Sequence, residues 1–500
     1  MKRFDPGACE EDFIINLFPP PVEKLLQLLK ESGYQAYVVG GAVRDILLGR
    51  TPREYDLATD ACPEALLRLA ETHKLRAFLK GAAFGVISFL IDGTAIEVAT
   101  FRTEIYGEDA HRPEKVDFLW ALEDDLARRD FTVNAMALDS EGRLYDPYGG
   151  KGDLARGVLR AVGNPDERFA EDALRAFRAC RFAAEYGFEV EPLTLAAISR
   201  TRHRVAGLSV ERVKDELERI LLSPHPETGF ELLRATGLLE TRCRSRVTGK
   251  EEMVPVLPEL ARLFGVPQNP RYHSRDVWQH TMLVVREVPQ EIVLRWAALL
   301  HDIAKGMPGV RALNRRGELS DHRHEQVGAA MAAEVLDRLR VPPVYSRRVE
   351  WLVRRHMVFP APEEPSVIKW LRRLAADFRN RGELAEGVEQ LLTLRDADLK
   401  GGKVGPEKRL AENVRLRELV RDVVSRVPFY PVDLAVSGRA VARYLGEGPQ
   451  VGSVIEDLLR RVQGGELPND PEALEAVLEK KLQFVEKNFI HKEKTRQRRR

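Results

Sequence analysis

The feature that most limits what this chain can fold into is where its β-compatible sequence lies. YQAYVVGG, AFGVISFLI, TAIEVATF and FTVNAMAL are short, rich in Val, Ile, Phe and Thr, and all fall between about residues 22 and 160. Helical patterns such as PEALLRLAETHK sit between them, so 22–160 reads as a mixed α+β head. Beyond it the pattern turns helical. EDALRAFRACRFAAEY and VERVKDELERILL mark a neck and body over 161–265, made locally basic by Arg175, Arg178, Arg181, Arg200, Arg202, Arg204 and Arg212. The prolines of PVLPEL and VPQNPRYH read as a linker. A His-rich helical zone follows at 272–400, then a helical segment at 401–490 and a tail at 491–500 with the basic run KEKTRQRRR. No internal repeat is visible. The expected class is α+β: a mixed-sheet head followed by all-α domains, three to four domains in 500 residues at roughly 150 residues each.

Composition narrows the function classes. Hydrophobic residues at 44% and charged residues at 31% describe a globular chain rather than a disordered one. Lys+Arg 78 against Asp+Glu 77 leaves net +1, so any nucleic-acid surface must come from local clustering. No run approaches the roughly 18 apolar residues that cross a bilayer, and the first residues are acidic where a signal peptide needs an apolar core. Cys9, Cys62, Cys180 and Cys243 lie far apart with no CxxC pair, which disfavours a zinc knuckle or a disulfide framework. A cytoplasmic, membrane-free setting is expected.

The densest chemistry lies in VVGGAVRDILLGRTPREYDLATDA. A strand-like run ends in Gly40–Gly41, and a helical pattern starts with Arg44 in its first turns. Glycines there let the backbone approach a triphosphate, and a helix N-terminus favours its charge. Twelve residues separate Gly41 from Glu54-Tyr55-Asp56. Residues two apart on a strand point the same way, so both carboxylates converge, a hard oxygen site suited to Mg²⁺. Glu97, in TAIEVATF, is a third acid in the same setting. Two ions there would bridge an attacking hydroxyl and an α-phosphate.

These segments resemble a known family. GGAVRDILLGR, EYDLATDA, RRDFTVNAM, DPYGGKGDL and EDALRAFRACRFA together resemble the bacterial class II tRNA nucleotidyltransferases, which include CCA-adding enzymes and poly(A) polymerases. By this resemblance Glu54 and Asp56 would hold catalytic Mg²⁺, with Glu97 beside them. Gly40, Gly41, Arg44, Asp45, Arg128, Arg129, Asp130 and Asn134 would bind the ribose and triphosphate. The family usually has Asp at both metal positions, and this chain has Glu54 at the first.

EDALRAFRACRFA reads as a helix with an acidic first turn, so Asp172 and Arg175, three apart, share a face. A carboxylate accepts from an exocyclic amine and a guanidinium donates to a ring nitrogen. Cytosine and adenine offer that pair, whereas uracil and guanine oppose it at roughly 1–3 kcal/mol per group. The family resemblance implies the same role, a protein template for C and A, with Arg178 and Arg181 continuing the stripe towards phosphates. GAAFGVISF resembles the tRNA enzymes of the class more than its poly(A) polymerases. TEIYGEDAHRPEKVD matches a flexible loop that in the family is shortened in enzymes adding only CC. The partners implied are the tRNA 3′ end, CTP and ATP. Addition of A alone, poly(A) synthesis, RNA binding without catalysis, and a phosphohydrolase with a nucleotide-binding head stay open.

The His-rich zone resembles the HD phosphohydrolase superfamily. His280, His301, Asp302 and Asp398 would be ligands of a first metal, His324 and His356 would serve a second ion or a phosphate, and Lys305 would assist phosphate binding. Imidazole with carboxylate suits a divalent transition metal better than Mg²⁺. Some relatives with such a domain hydrolyse phosphomonoesters or 2′,3′-cyclic phosphates. His111, His225 and His322 read as surface or loop residues, Cys180 as packing, and the tryptophans as core.

Overall fold

The computed structural model describes residues 17–81, 85–106, 113–118, 121–247, 249–403 and 406–483. His111, Trp120, Cys9, the Ala-Ala-Phe of GAAFGVISF and the basic tail lie outside them. Contacts divide the chain into two compact units, Met1–Arg262 with Val335–Pro342, and Leu263–Glu334 with Pro343–Arg500.

The first unit opens with helix α1 (Pro20–Glu31), then β1 (Ala36–Val39), α2 (Gly41–Leu47), β2 (Asp56–Thr59), α3 (Pro63–Thr72), β3 (Arg76–Gly81), β4 (Val86–Ile91) and β5 (Thr94–Thr100). A separate hairpin, β6 (Arg102–Tyr106) with β7 (Pro113–Phe118), precedes α4 (Leu122–Ala127). Most of the segment expected to be a loop is thus an antiparallel pair, and only 107–112 lie outside the described residues. Two short strands, β8 (Ala137–Leu138) and β9 (Leu144–Tyr145), complete a seven-stranded sheet of order β3-β4-β5-β2-β1-β8-β9. The sheet is mixed: β2 and β5 run parallel, and β1 pairs antiparallel with β2 and β8. Val39, Ala58, Phe101, Leu126 and Ala137 pack into a buried cluster beneath it.

Helix α5 (Gly150–Arg156) is followed by β10 (Val158–Leu159) and α6 (Pro165–Glu171). Pro165 at the first turn and the Asn164 side chain, which accepts from the Asp166 amide at 3.1 Å, start α6. The 13-residue α7 (Leu174–Tyr186) buries almost every position and packs against helices at Val210–Leu221 and Pro226–Ala235. Two features depart from the expected helical neck. Arg242–Val247 and Lys250–Pro255 form a β-hairpin. PVLPEL is no loose linker either, since Val256, Leu257 and Leu260 are fully buried.

In the second unit, the helix at Ile292–Leu300 is largely apolar, is buried nearly throughout with Arg295 included, and forms the centre of that unit. Around it are helices at Val277–Glu287, His324–Arg338, Pro343–Arg355 and the 21-residue Arg381–Gly401. A small separate core of Leu434, Val436, Val441, Leu458, Leu474 and Leu478 closes the described chain. Trp278, Trp296 and Trp370 are core, whereas Trp351 is half-buried and donates to Asp377 at 2.8 Å. No helix among the described residues is long and apolar enough to cross a membrane.

Gly150 is the tightest joint near the sheet. A Cβ there would lie 2.1 Å from the Thr132 carbonyl oxygen, on the turn that carries Asn134. Gly150→Ala is expected to destabilise the protein by about 1–3 kcal/mol, the scale of overpacking, as a lower midpoint in denaturant unfolding.

Candidate functional site

The first site sits at one end of β1 and β2. Val39, the last residue of β1, is paired with Asp56, the first of β2, and Asp56 is paired in register with Glu97 on β5. The chain turns at Gly40 with φ +71, where a Cβ would meet Arg129 Nη1 at 2.9 Å. Only glycine suits that conformation and that contact. Two acids are therefore set side by side next to the glycine turn. Glu54 lies two residues ahead of the strand rather than on it, so strand pairing does not fix its placement relative to Asp56. Asp56 and Glu97, brought together by strand pairing, are the better defined pair.

Around this end, cations are held by buried acids. Asp125 accepts from Arg128 at 2.7 Å and from Arg129 at 3.0 Å. Burial opposes its charge, but Arg129 and Arg128 outweigh that and hold the carboxyl below the ordinary value. Asp130 accepts from the Asn134 amide at 3.0 Å and from Arg178 Nε at 2.8 Å. It too is held far below the ordinary range, because Arg178 and Asn134 overcome the cost of burial. Arg44, also buried, donates to Asn134 Oδ1 at 2.6 Å and to Asp45 at 3.0 Å. Gly40, Gly41, Arg44, Asp45, Arg128, Arg129, Asp130, Asn134 and Arg178 thus belong to one connected region. Arg181 is turned elsewhere, into a buried ion pair with Glu216 at 3.1 Å.

Asp172 and Arg175 are not neighbours on one helical face. The helix breaks between α6 and α7, and Asp172 is extended there with φ −138° and ψ 103°. Its Oδ1 accepts from the Leu174 amide at 3.0 Å, capping α7, and its Oδ2 accepts from Arg212 at 3.3 Å. Arg175 donates to Glu171 at 2.7 Å, to the Arg168 carbonyl at 3.0 Å and to the Arg128 carbonyl at 2.8 Å. Those contacts employ three of the five guanidinium N–H groups, which leaves donors on Nε and Nη2. Glu171 and Asp125 were not among the residues singled out from sequence, since each looks like an ordinary helix-surface charge, and Arg212 was read only as part of the basic neck.

The second site brings together every ligand expected from the His-rich zone. His301 follows the buried apolar helix, and Asp302 is next to it. His280 Nε2 lies 3.0 Å from Asp398 and 3.7 Å from Asp302 Oδ2, and His301 Nε2 lies 3.2 Å from the same oxygen. His324 and His356 approach the other oxygen, Asp302 Oδ1, at 3.3 and 3.9 Å. Three of these rings contact backbone carbonyls through Nδ1: His301 to Ala298 at 2.8 Å, His324 to Asp321 at 2.9 Å and His356 to Val353 at 2.7 Å. A carbonyl only accepts, so each Nδ1 donates, and in the neutral form that binds a metal each ring's Nε2 is a lone pair. Those lone pairs face carboxylate oxygens, and the Nε2 atoms of His324 and His356 lie 3.3 Å apart. Acceptors facing acceptors need a cation between them, and a divalent metal fits this donor set. Two groups meet the spacing, His280–His301–Asp302 and Asp302–His324–His356.

Burial, with the neighbouring His301, pushes the His356 imidazole down to about 3, so it stays neutral as a ligand must. Asp302 is held well below its ordinary value because His301 and Lys305 overcome burial. Lys305 Nζ stands 2.7 Å from Asp302 and donates to Gln268 at 2.9 Å. A cavity of about 660 Å³ opens over the cluster, lined by Gln268, Tyr272, His273, Lys305, Met357 and Arg409 among others. VPQNPRYH is therefore a wall of this site rather than a linker. His273, missed in the sequence reading, sits with its ring 5.1 Å from that of His280. Gly401 is also required: a Cβ there would fall 2.5 Å from His280 Nδ1. His225 and His322 are exposed, and Cys180 is buried.

Comparison with known proteins decides the family. The Poly A polymerase head domain matches residues 36–160, the probable RNA and SrmB-binding site of polymerase A matches 187–242, and the HD domain matches 271–396. The CCA-adding enzyme of Geobacillus kaustophilus is 33% identical over 476 residues, covering 94% of this chain and 99% of that protein. This chain belongs to the CCA-adding enzyme family. The Geobacillus stearothermophilus CCA-adding enzyme is 32% identical over the same span. The crystal structure of the Bacillus stearothermophilus CCA-adding enzyme, solved with CTP, superposes with a TM-score of 0.65 at 28% identity, over 94% of this chain and all of that one. A family that pairs a nucleotidyltransferase head with an HD domain uses divalent metal ions.

If Asp302 serves both ligand groups, metal analysis of purified protein gives a graded result. His280→Ala and His324→Ala are each expected to lower transition-metal content, and Asp302→Ala to abolish it, while Asp56→Ala leaves it unchanged.

Proposed function

We propose that this chain adds CCA to the 3′ end of tRNA from CTP and ATP without a nucleic-acid template. The observation that carries the reading is the register of Asp56 with Glu97 beside the Gly40–Gly41 turn, in a chain that aligns nearly end to end with CCA-adding enzymes. Asp56, Glu97 and Glu54 would hold Mg²⁺, which when bound lowers the pKa of the attacking 3′-hydroxyl and neutralises charge at the α-phosphate. The backbone at Gly40–Gly41 gives close access to a triphosphate, and Arg128 and Arg129 sit beside it, their guanidinium groups aligned by Asp125.

Base choice falls to Asp172 and Arg175. Asp172 has its Oδ1 committed to the α7 amide, and its Oδ2, which accepts from Arg212 at 3.3 Å, is the acceptor for an exocyclic amine. Arg175 supplies the ring-nitrogen donor from Nε or Nη2 while its other N–H groups anchor it to the Arg128 and Arg168 carbonyls. The protein thus serves as template, and its locally basic neck grips RNA through backbone and shape. We place the enzyme in the cytoplasm, in keeping with Cys62, Cys180 and Cys243 all being free thiols.

The HD site supports a second reaction. Its complete set of inward lone pairs, with Lys305 and Arg409 at the cavity, suits hydrolysis of a phosphomonoester or a 2′,3′-cyclic phosphate by a transition-metal centre.

Incubation with tRNA ending at the discriminator base, CTP, ATP and Mg²⁺ is expected to give growth by three nucleotides on a single-nucleotide-resolution gel. Growth only from tRNA ending in CC reassigns the chain to A addition, and ATP-only tails on arbitrary RNA reassign it to poly(A) synthesis. Asp56→Ala is expected to lower incorporation on the order of 100- to 1,000-fold, the scale of losing one group that stabilises developing charge. Phosphate release from 2′,3′-cyclic nucleotides should persist in Asp56→Ala and vanish in His301→Ala.

A further inference from the structure

Tyr186 is the last residue of α7, and nothing in the reaction as described above requires it. Its hydroxyl donates to Asp45 Oδ1 at 3.1 Å, across 141 residues of sequence. Its ring lies beneath the Arg44 guanidinium at 4.5 Å and the Arg50 guanidinium at 4.9 Å from the centroid. Phe188 stacks near its other side, with centroids 5.3 Å apart and planes 24° from parallel. Phe182, one turn earlier on α7, gives Arg44 a second aromatic contact at 5.2 Å.

Helix α2 has only seven residues, and no side chain caps its N-terminus. A helix that short is marginal without tertiary support. The polar end of its buried face is Arg44, fixed by Asn134, Asp45 and the two rings. The Asp45 carboxylate in turn accepts from Arg44 Nε and Nη2 and from the Tyr186 hydroxyl, all through Oδ1. Tyr186 therefore acts on both members of the Arg44–Asp45 pair at once, on one by its π face and on the other by its hydroxyl. The Gly40–Gly41 turn leads directly into this helix, so a shift of Arg44 is passed to the backbone that would meet the triphosphate.

We propose that Tyr186 is a positioning residue for nucleotide binding, which locks Arg44 and Asp45 from the neck helix and so holds the glycine turn ready for a triphosphate. The inference rests on the reading of Gly40–Asp45 as the nucleotide-binding segment. The locked elements touch no base-reading residue, so the effect is the same for CTP and ATP.

The test is steady-state kinetics of the full-length protein with tRNA ending at the discriminator base and with tRNA ending in CC. Tyr186→Phe removes one hydrogen bond and keeps the ring, and the expected result is a rise in KM for both CTP and ATP of about three- to tenfold, with kcat within about twofold. Tyr186→Leu removes the ring as well and raises both KM values further, with discrimination against UTP and GTP preserved. Arg44→Lys keeps the charge and loses the planar fork, and it should raise the same two KM values. The proposal is overturned if Tyr186→Phe and Tyr186→Leu leave both KM values at the parent level, or if they alter only melting temperature, tRNA affinity or kcat. If Arg44→Lys leaves the nucleotide KM unchanged, the reading of Gly40–Asp45 fails and takes this inference with it. If Arg44→Lys acts and the Tyr186 variants do not, only this inference falls. Should Tyr186→Leu fail to fold, Tyr186→Phe decides alone.

Discussion

The first unit depends on a buried carboxylate, Asp130, held between Arg178 and Asn134. A charge so placed is costly unless its lone pairs are matched by donors, and here a guanidinium, a side-chain amide and the Phe131 backbone amide match them. The arrangement joins the sheet to α7 through groups that cannot be exchanged singly. Loss of Arg178 would strand a buried anion, and loss of Asp130 would leave the half-buried Arg178 without that partner and release Asn134, the residue that fixes Arg44. The polar interior is therefore a register device as well as a binding surface, because strands, turn and neck helix fit in one arrangement only.

The second unit solves the reverse problem. Backbone carbonyls draw the Nδ1 protons of three histidines, so the folded main chain turns the Nε2 atoms towards Asp302. An apolar helix in the middle of the unit places His301 and Asp302 in a dry environment, where lone pairs that face one another bind a cation strongly. The two candidate metal sites thus differ in kind, one with carboxylates on paired inner strands and one with imidazoles in a buried core.

Much of this was legible in the sequence because the chemistry-bearing residues keep short-range signatures. Gly40–Gly41 between a strand pattern and a helix pattern, and the adjacent His301–Asp302, are local features that survive folding unchanged. The placement of Asp172 was not legible. EDALRAFRAC has unbroken helical propensity, and the break before Leu174 arises only because Asp172 caps one helix and meets Arg212 from another. The hairpin at 242–255 was hidden by its charged residues, and the partnership of Tyr186 with Asp45 by the length of chain between them. His273 was visible as a residue but not as a neighbour of His280, since a lone histidine carries no spacing to read. Glu54 stands just outside the strand that begins at Asp56, so its two-residue spacing does not alone fix its direction.

Asp172 carries a consequence for redesign. One of its oxygens starts a helix and the other accepts from Arg212, so the base choice proposed for this residue and the integrity of α7 would rest on a single side chain. A replacement chosen only for the base it would favour also removes the cap, and the helix bearing Arg175, Arg178 and Tyr186 loosens with it. Asn gives up the acceptor that faces Arg212 but can still accept from the Leu174 amide. Ala cannot. Change at this position is therefore restrained by the helix as well as by any role in base choice.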